Sequence, residues 1–201
     1  MAKLKGPLFS LGASQQLGKA LVYFSWKGLN VVREYVIPSN PKSKGQRDQR
    51  GYLTAVVAAI HRLQASPYPL NEVDTRAYAL WGSTYPTPRT WFNQAVKNWL
   101  DQKVVPKTAG LCYNGVVTPG PTELAVAVNV DPASADTAGD FYYGTSKTAL
   151  INKKGATPTA TKRSATITGL AKGTKFFIQY RSNAPNDSIG IRSGIYYGTP
   201  T

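Results

Sequence analysis

The side chains able to do chemistry are few and scattered. His61 is the single histidine of the 201 residues. It falls among Tyr52, Leu53, Val56, Val57, Ile60 and Leu63, whose three- and four-residue spacing predicts a helix. An imidazole works as a general base only beside a group that orients it. No such partner is identifiable near His61, so it reads as a structural or surface residue. The ten carboxylates come closest to pairing as Glu72 with Asp74 and Asp136 with Asp140. Either pair could hold a cation, but the first suits a helix start, where backbone N–H groups favour negative charge, and the second a loop before a strand. Cys112 is alone, which excludes an internal disulfide framework or a CxxC motif, and it reads as a small apolar residue in or near a strand. No G-x-S-x-G, HExxH, Walker loop or Gly-rich dinucleotide turn occurs. The expectation is a binding or structural protein, not an enzyme, with no catalytic, cofactor-binding or metal-ligating residues.

Charge offers more. The net charge is +14, and nine basic residues against two acidic ones put half of it in residues 1–50. Lys42, Lys44, Arg47 and Arg50 sit there in a Pro/Gly/Gln-rich stretch able to face phosphates or an acidic protein surface. No nucleic-acid motif accompanies them, and Tyr52 alone makes no stacking platform. No stretch approaches the roughly 18 apolar residues of a membrane span, and Met1 to Pro7 does not open a signal peptide. The expected product is soluble, made in the cytoplasm and without a membrane partner.

Positioning these groups falls to two kinds of segment. Leu21–Trp26 and Val31–Ile37, around Lys27-Gly28-Leu29-Asn30, predict a β-hairpin ended by Pro38 and Pro41. A helix follows from about Gln46. A second is capped by Asn71-Glu72-Val73-Asp74, carries Tyr78, Leu80 and Trp81, and ends at Gly82. A third runs from about Thr90 to Gln102 with Trp91, Phe92, Val96, Trp99 and Leu100 inward. Trp81, Trp91 and Trp99 are thus core residues. Trp26, at the hairpin tip beside Lys27 and Gly28, is hard to bury within its own domain and is assigned to an intersubunit contact. The texture changes near Pro106 to Pro121, where a linker is placed. Beyond it, Ala165 to Leu170 and Phe176 to Tyr180 alternate as half-buried strands around the turn Ala171-Lys172-Gly173-Thr174.

Those last strands, "TITGL", a Gly-Thr turn, "FFIQYRS" and a final "SGIYYGTPT", resemble the end of a fibronectin type III domain, and Phe141-Tyr142-Tyr143-Gly144-Thr145-Ser146 is similar to that family's third strand. The likeness covers roughly Pro119 to Thr201. It departs at Phe176, where the family usually has Tyr, and lacks the early core Trp, with Val126, Val128 and Val130 the apolar residues nearby. The resemblance implies a β-sandwich that acts as a binding module or spacer, with Tyr142, Tyr143, Tyr196 and Tyr197 as possible surface-binding residues.

The front half has its own likeness. Gly18-Lys19, Lys27-Gly28, Arg33 with Tyr35, and Ile37-Pro38-Ser39-Asn40-Pro41-Lys42-Ser43 leading to Gln46 and Gln49-Arg50 resemble a module of uncharacterised phage and prophage proteins. In that module "P-x-N-P-K-T-x-x-Q" precedes a helix, and Ser43 stands here at the usual Thr. The resemblance, spanning roughly Gly12 to Trp99, implies a structural role in a virion. Pro38 and Pro41 stiffen the segment while Asn40, Gln46, Gln49 and Arg50 offer hydrogen-bonding groups at the helix start.

Together these readings give an α+β chain: an N-terminal β-hairpin plus small helical domain over 1–108, a linker at about 106–121, and an Ig/fibronectin III-like β-sandwich over 109–201. The expected function is a structural component of a bacteriophage-type virion, as capsid decoration or cement or as a tail-associated protein. Its front half docks through Trp26, Lys27, Arg33, Asn40, Lys42, Lys44, Arg47 and Arg50, and the sandwich projects. The expected partners are other virion proteins or copies of itself, in a homo-oligomer or larger assembly. A nucleic-acid-binding protein using the basic front, or a carbohydrate or host-surface binding module, is the alternative.

Overall fold

The computed structural model describes residues 2–4, 15–37, 39–65, 67, 69–104, 109–134, 136–183 and 190–201. The chain divides into two compact units, Met1–Ser43 and Lys44–Thr201. In the first, β1 (Ala2–Leu4), β2 (Gln15–Leu17), β3 (Leu21–Trp26) and β4 (Leu29–Glu34) form an antiparallel sheet of order β1-β4-β3-β2. The expected hairpin is its centre, with Leu21 opposite Glu34 and Trp26 opposite Leu29. Its turn is two residues, Lys27 at φ 51° and Gly28 at φ 76°. Positive φ at both positions is the type I′ geometry that matches strand twist, and Gly28 supplies it freely.

The second unit begins with α1 (Lys44–Gln64), α2 (Glu72–Gly82) and α3 (Trp91–Val104). Val56, Ile60 and Leu63 of α1 are buried as their spacing requires, whereas Leu53 is exposed. α2 starts on a capping box: the Asn71 side chain accepts from the Asp74 N–H, and the Asp74 carboxylate accepts from the Asn71 N–H.

Eight strands follow: β5 (Cys112–Gly120), β6 (Glu123–Val130), β7 (Gly139–Gly144), β8 (Asn152–Gly155), β9 (Thr157–Thr159), β10 (Lys162–Thr168), β11 (Phe176–Ser182) and β12 (Tyr196–Gly198). They make two antiparallel sheets, of order β5-β6-β10-β9 and β12-β11-β7-β8. Leu124, Val126, Val128 and Ile167 from the first sheet meet Phe141, Ile178, Tyr180 and Tyr196 from the second in one apolar cluster. The chain is therefore mixed α+β, with helices ahead of a β-rich half.

The compact units do not fall at the expected boundary near residue 108. Residues 105–108 lie outside the described residues, but 112–120 form β5 and not a linker. Leu111, Tyr113 and Ile195 share a core with Val56, Ile60, Tyr78, Trp81 and Trp99 of the helices. The helical stripes are completed by the β-rich half, so the helices of Lys44–Thr201 have no separate core, and the hairpin sheet belongs to the other unit.

Two buried carboxylates fasten this joint, and a third ties the two sheets to each other. Asp74 reaches across to β5 and β12: its Oδ2 accepts from the Asn114 N–H at 2.7 Å, and its Oδ1 from the Gly115 N–H at 2.8 Å and the Tyr196 hydroxyl at 2.7 Å. Asp131 accepts from Arg62 Nη2 of α1 at both of its oxygens, at 2.7 and 2.8 Å. Asp136, which the sequence placed in a loop, accepts from Arg163 Nε at 3.0 Å and from the Tyr180 hydroxyl at 2.8 Å. Gly194 lets the last segment press on α2, where the Ile195 N–H donates to the Ala77 carbonyl at 2.9 Å. A Cβ at Gly194 would meet the backbone of Ala77 and Tyr78 at 2.5 Å.

Candidate functional site

In the first unit the paired side chains sort onto two faces by register. Leu21, Tyr23 and Ser25 share one with their partners, and Val22, Phe24 and Trp26 share the other with Arg33, Val31 and Leu29. Only one described side chain on each face is buried, Tyr23 on the first and Val31 on the second. Leu17 and Leu21, directly opposite one another, are exposed, as are Trp26, Leu29, Val36 and Ile37. Trp26 is 55% exposed. The Lys27 ammonium lies 5.4 Å from its ring centroid, and the Arg33 guanidinium lies 5.4 Å from that of Phe24. Cations over ring faces keep aromatic surface in a defined orientation. Lys27 itself holds the left-handed conformation, which costs a non-glycine residue about 1 kcal/mol.

Asn40 and Lys42 are exposed in the segment leaving β4, with Lys42 at φ 48°. Lys44, Arg47 and Arg50 are exposed on the first two turns of α1, in the second unit. Lys44 pairs with Asp48 at 2.8 Å, and this bond raises its pKa. The first turn of α1 carries no acidic residue. Cations at a helix start oppose the macrodipole instead of using it, leaving a locally positive end that suits an anionic neighbour. The eight expected docking residues thus fall on two units, five on the first and three on the second.

The four tyrosines expected at a binding surface separate. Tyr143 and Tyr196 flank Ile178 in register and face the core. Tyr196 is buried, and burial foremost, then the charge of Asp74, pushes its hydroxyl pKa well up. It is a strut and not a surface residue. Tyr142 and Tyr197 alternate to the other face, each under a cation: Arg181 at 4.5 Å from the Tyr142 centroid and Lys175 at 3.8 Å from that of Tyr197. Tyr197 is 57% exposed.

Sequence reasoning missed a groove of about 540 Å³ between α2 and β12, lined by Val73, Ala77, Leu80, Val117, Ile195 and Tyr197 among others. The signal was present, because Val73, Ala77 and Leu80 recur at four- and three-residue spacing beside the buried stripe of Tyr78 and Trp81. Arg76, paired with Glu72, borders it.

His61 is exposed. Cys112 is fully buried, and burial foremost pushes its thiol pKa well up, away from the reactive thiolate. Its backbone N–H donates to the Tyr78 hydroxyl, which donates to its carbonyl, both at 3.1 Å. Among the described residues, no group of three or more His, Cys, Asp or Glu side chains is gathered, and every buried side-chain nitrogen and oxygen has a partner. No described helix is long and apolar enough to cross a membrane. No protein-family model matches the chain, and no curated protein matches it.

Proposed function

We propose that the chain is a structural component of a phage-type virion, attached through its first unit. One observation carries this reading: six of the eleven large apolar side chains exposed among the described residues lie in the small unit Met1–Ser43, where Tyr23 and Val31 are the only buried side chains among those described. A unit of this size is near the lower limit for an independent core, and a sheet needs a covered apolar face to be stable. A neighbouring virion protein or copy covering Trp26 and Leu29 would supply that face. The positive start of α1, with Lys42, would favour an acidic surface on the partner.

We also propose that the two sheets of the second unit are an Ig/fibronectin III-like sandwich that projects from the attachment point. Lettering β5 to β12 as A, B, C, C′, D, E, F and G makes the observed orders A-B-E-D and G-F-C-C′. This arrangement supports the immunoglobulin-like topology. The bound state of the buried carboxylates supports a role in binding and positioning over one in catalysis.

The test is incorporation. Particles assembled with a chain lacking residues 1–43 should contain none of it, and Trp26→Lys should reduce incorporation at least tenfold. Normal incorporation of both would sink the reading. Exposed cations at the start of α1 favour a second reading, phosphate-backbone binding. That mode would weaken steeply with rising salt, whereas apolar docking through Trp26 would not.

A further inference from the structure

We propose that a small cavity between α2 and β11, walled by Lys147, Arg181 and Arg192, binds a phosphate-class oxyanion. The cavity holds about 190 Å³, enough for a tetrahedral anion, and Trp81, Thr84 and Gln179 also line it. Among the described residues, its walls carry three cations and no carboxylate. The three come from separate parts of the second unit: Lys147 from the β7–β8 connection, Arg181 from β11, and Arg192 from the segment before β12.

Arg181 and Arg192 are directly opposite one another on an isolated antiparallel bridge. Like charges in that position repel and destabilise the pair. Burial and the neighbouring Arg192 charge, in that order, lower the Arg181 pKa. Two described carboxylates in the neighbourhood pair with lysines. Asp140, across from Arg181 on β7, faces Lys153 at 4.0 Å. Asp101, which shares an adjoining cavity with Arg192, is held by Lys97 at 2.7 Å. An anion between the guanidinium groups would convert the repulsion into two charge-assisted contacts.

The site is also held in place. Arg181 Nε donates to Gln179 Oε1 at 3.1 Å, and its guanidinium lies over Tyr142. Gln179 is buried and donates in turn to the Ser193 carbonyl at 2.9 Å. Lys147 Nζ donates to Ser83 Oγ at 2.9 Å at the end of α2. A planar guanidinium fork fixed on β11, a second from the segment before β12 and a point charge from the β7–β8 connection suit a phosphate or sulfate group.

Calorimetric titration of the full chain with inorganic phosphate, sulfate and phenyl phosphate, at constant ionic strength against chloride, tests this. Saturable binding is expected, weakened at least tenfold by Arg192→Gln and by Lys147→Gln and unchanged by Lys175→Gln on Tyr197. Arg192→Gln should keep or raise the Tm without ligand, because it removes the like-charge pair, so lost binding would not reflect lost folding. Tighter binding of phenyl phosphate would assign an esterified phosphate resting on Trp81 and Leu150, and equal or weaker binding the free ion. Absence of saturable binding by all three anions, or binding indifferent to Arg192→Gln and Lys147→Gln, would overturn the proposal.

Discussion

The four strands of the first unit and the eight of the second obey the same alternation and reach different ends. β6 alone buries Leu124, Val126, Val128 and Val130, while β3 and β4 together bury Tyr23 and Val31. In the second unit each inward residue meets a facing sheet or helix, and carboxylates tie the layers. In the first, both faces carry apolar side chains and neither is covered among the described residues. Period-two patterning specifies a strand, but burial requires something to face it. The second unit contains its own opposing layer, and among the described residues the first does not.

The comparison breaks most readily at Asp74. Asp74→Ala leaves the Asn114 and Gly115 N–H groups and the Tyr196 hydroxyl without their acceptor, and should cost about 3–5 kcal/mol in chemical denaturation of the second unit. A loss under 1 kcal/mol would mean that the helices dock by apolar packing alone. Arg163→Met strands the Asp136 charge and should cost a similar or slightly smaller amount, about 3 kcal/mol. Tyr196→Phe removes one donor from a carboxylate that keeps others, so about 1–2 kcal/mol is expected.

Alkaline pH sharpens the contrast further. Burial foremost raises the hydroxyl pKa values of Tyr78, Tyr180 and Tyr196 above their ordinary 10.0. A raised folded-state value means the folded chain holds its protons more tightly than the unfolded one. The resulting stability is complete below pH 10.0 and is lost as pH rises beyond it, by up to about 1.4 kcal/mol per pH unit for each phenol. Thermal unfolding followed between pH 8 and 11 should therefore show a flat Tm turning steeply down, and Tyr196→Phe should make that descent shallower. At the small end, Trp26→Lys should change the stability of the second unit by less than about 0.5 kcal/mol, as expected for an exposed site, while abolishing docking.

Local chemistry was the legible part of the sequence. The hairpin, the Asn71 cap, the end of α2 at Gly82, and the strands β10 and β11 each announce themselves within a few residues, although the turn is tighter than expected and leaves Leu29 and Asn30 in β4. The three-residue strands β1 and β2 do not, because strands so short carry no period and are defined by distant partners. Distance also hid the second role of Asp74. Its capping of α2 is written three residues away, but its bonds to Asn114, Gly115 and Tyr196 join positions up to 122 residues apart. The anion cavity was unreadable for the same reason, with Lys147, Arg181 and Arg192 meeting only through the fold. The tyrosine assignment failed for a different one. Neighbours on a strand face opposite ways, so Tyr142 with Tyr143, and Tyr196 with Tyr197, could never share one surface.

The most direct test of attachment through an uncovered sheet is the sedimentation mass of the native complex containing this chain, with and without nuclease, beside its Trp26→Lys variant. The account predicts a large complex that nuclease leaves intact and from which the variant is absent. A chain that sediments as a monomer after nuclease treatment, or a variant retained at parental levels, would contradict it.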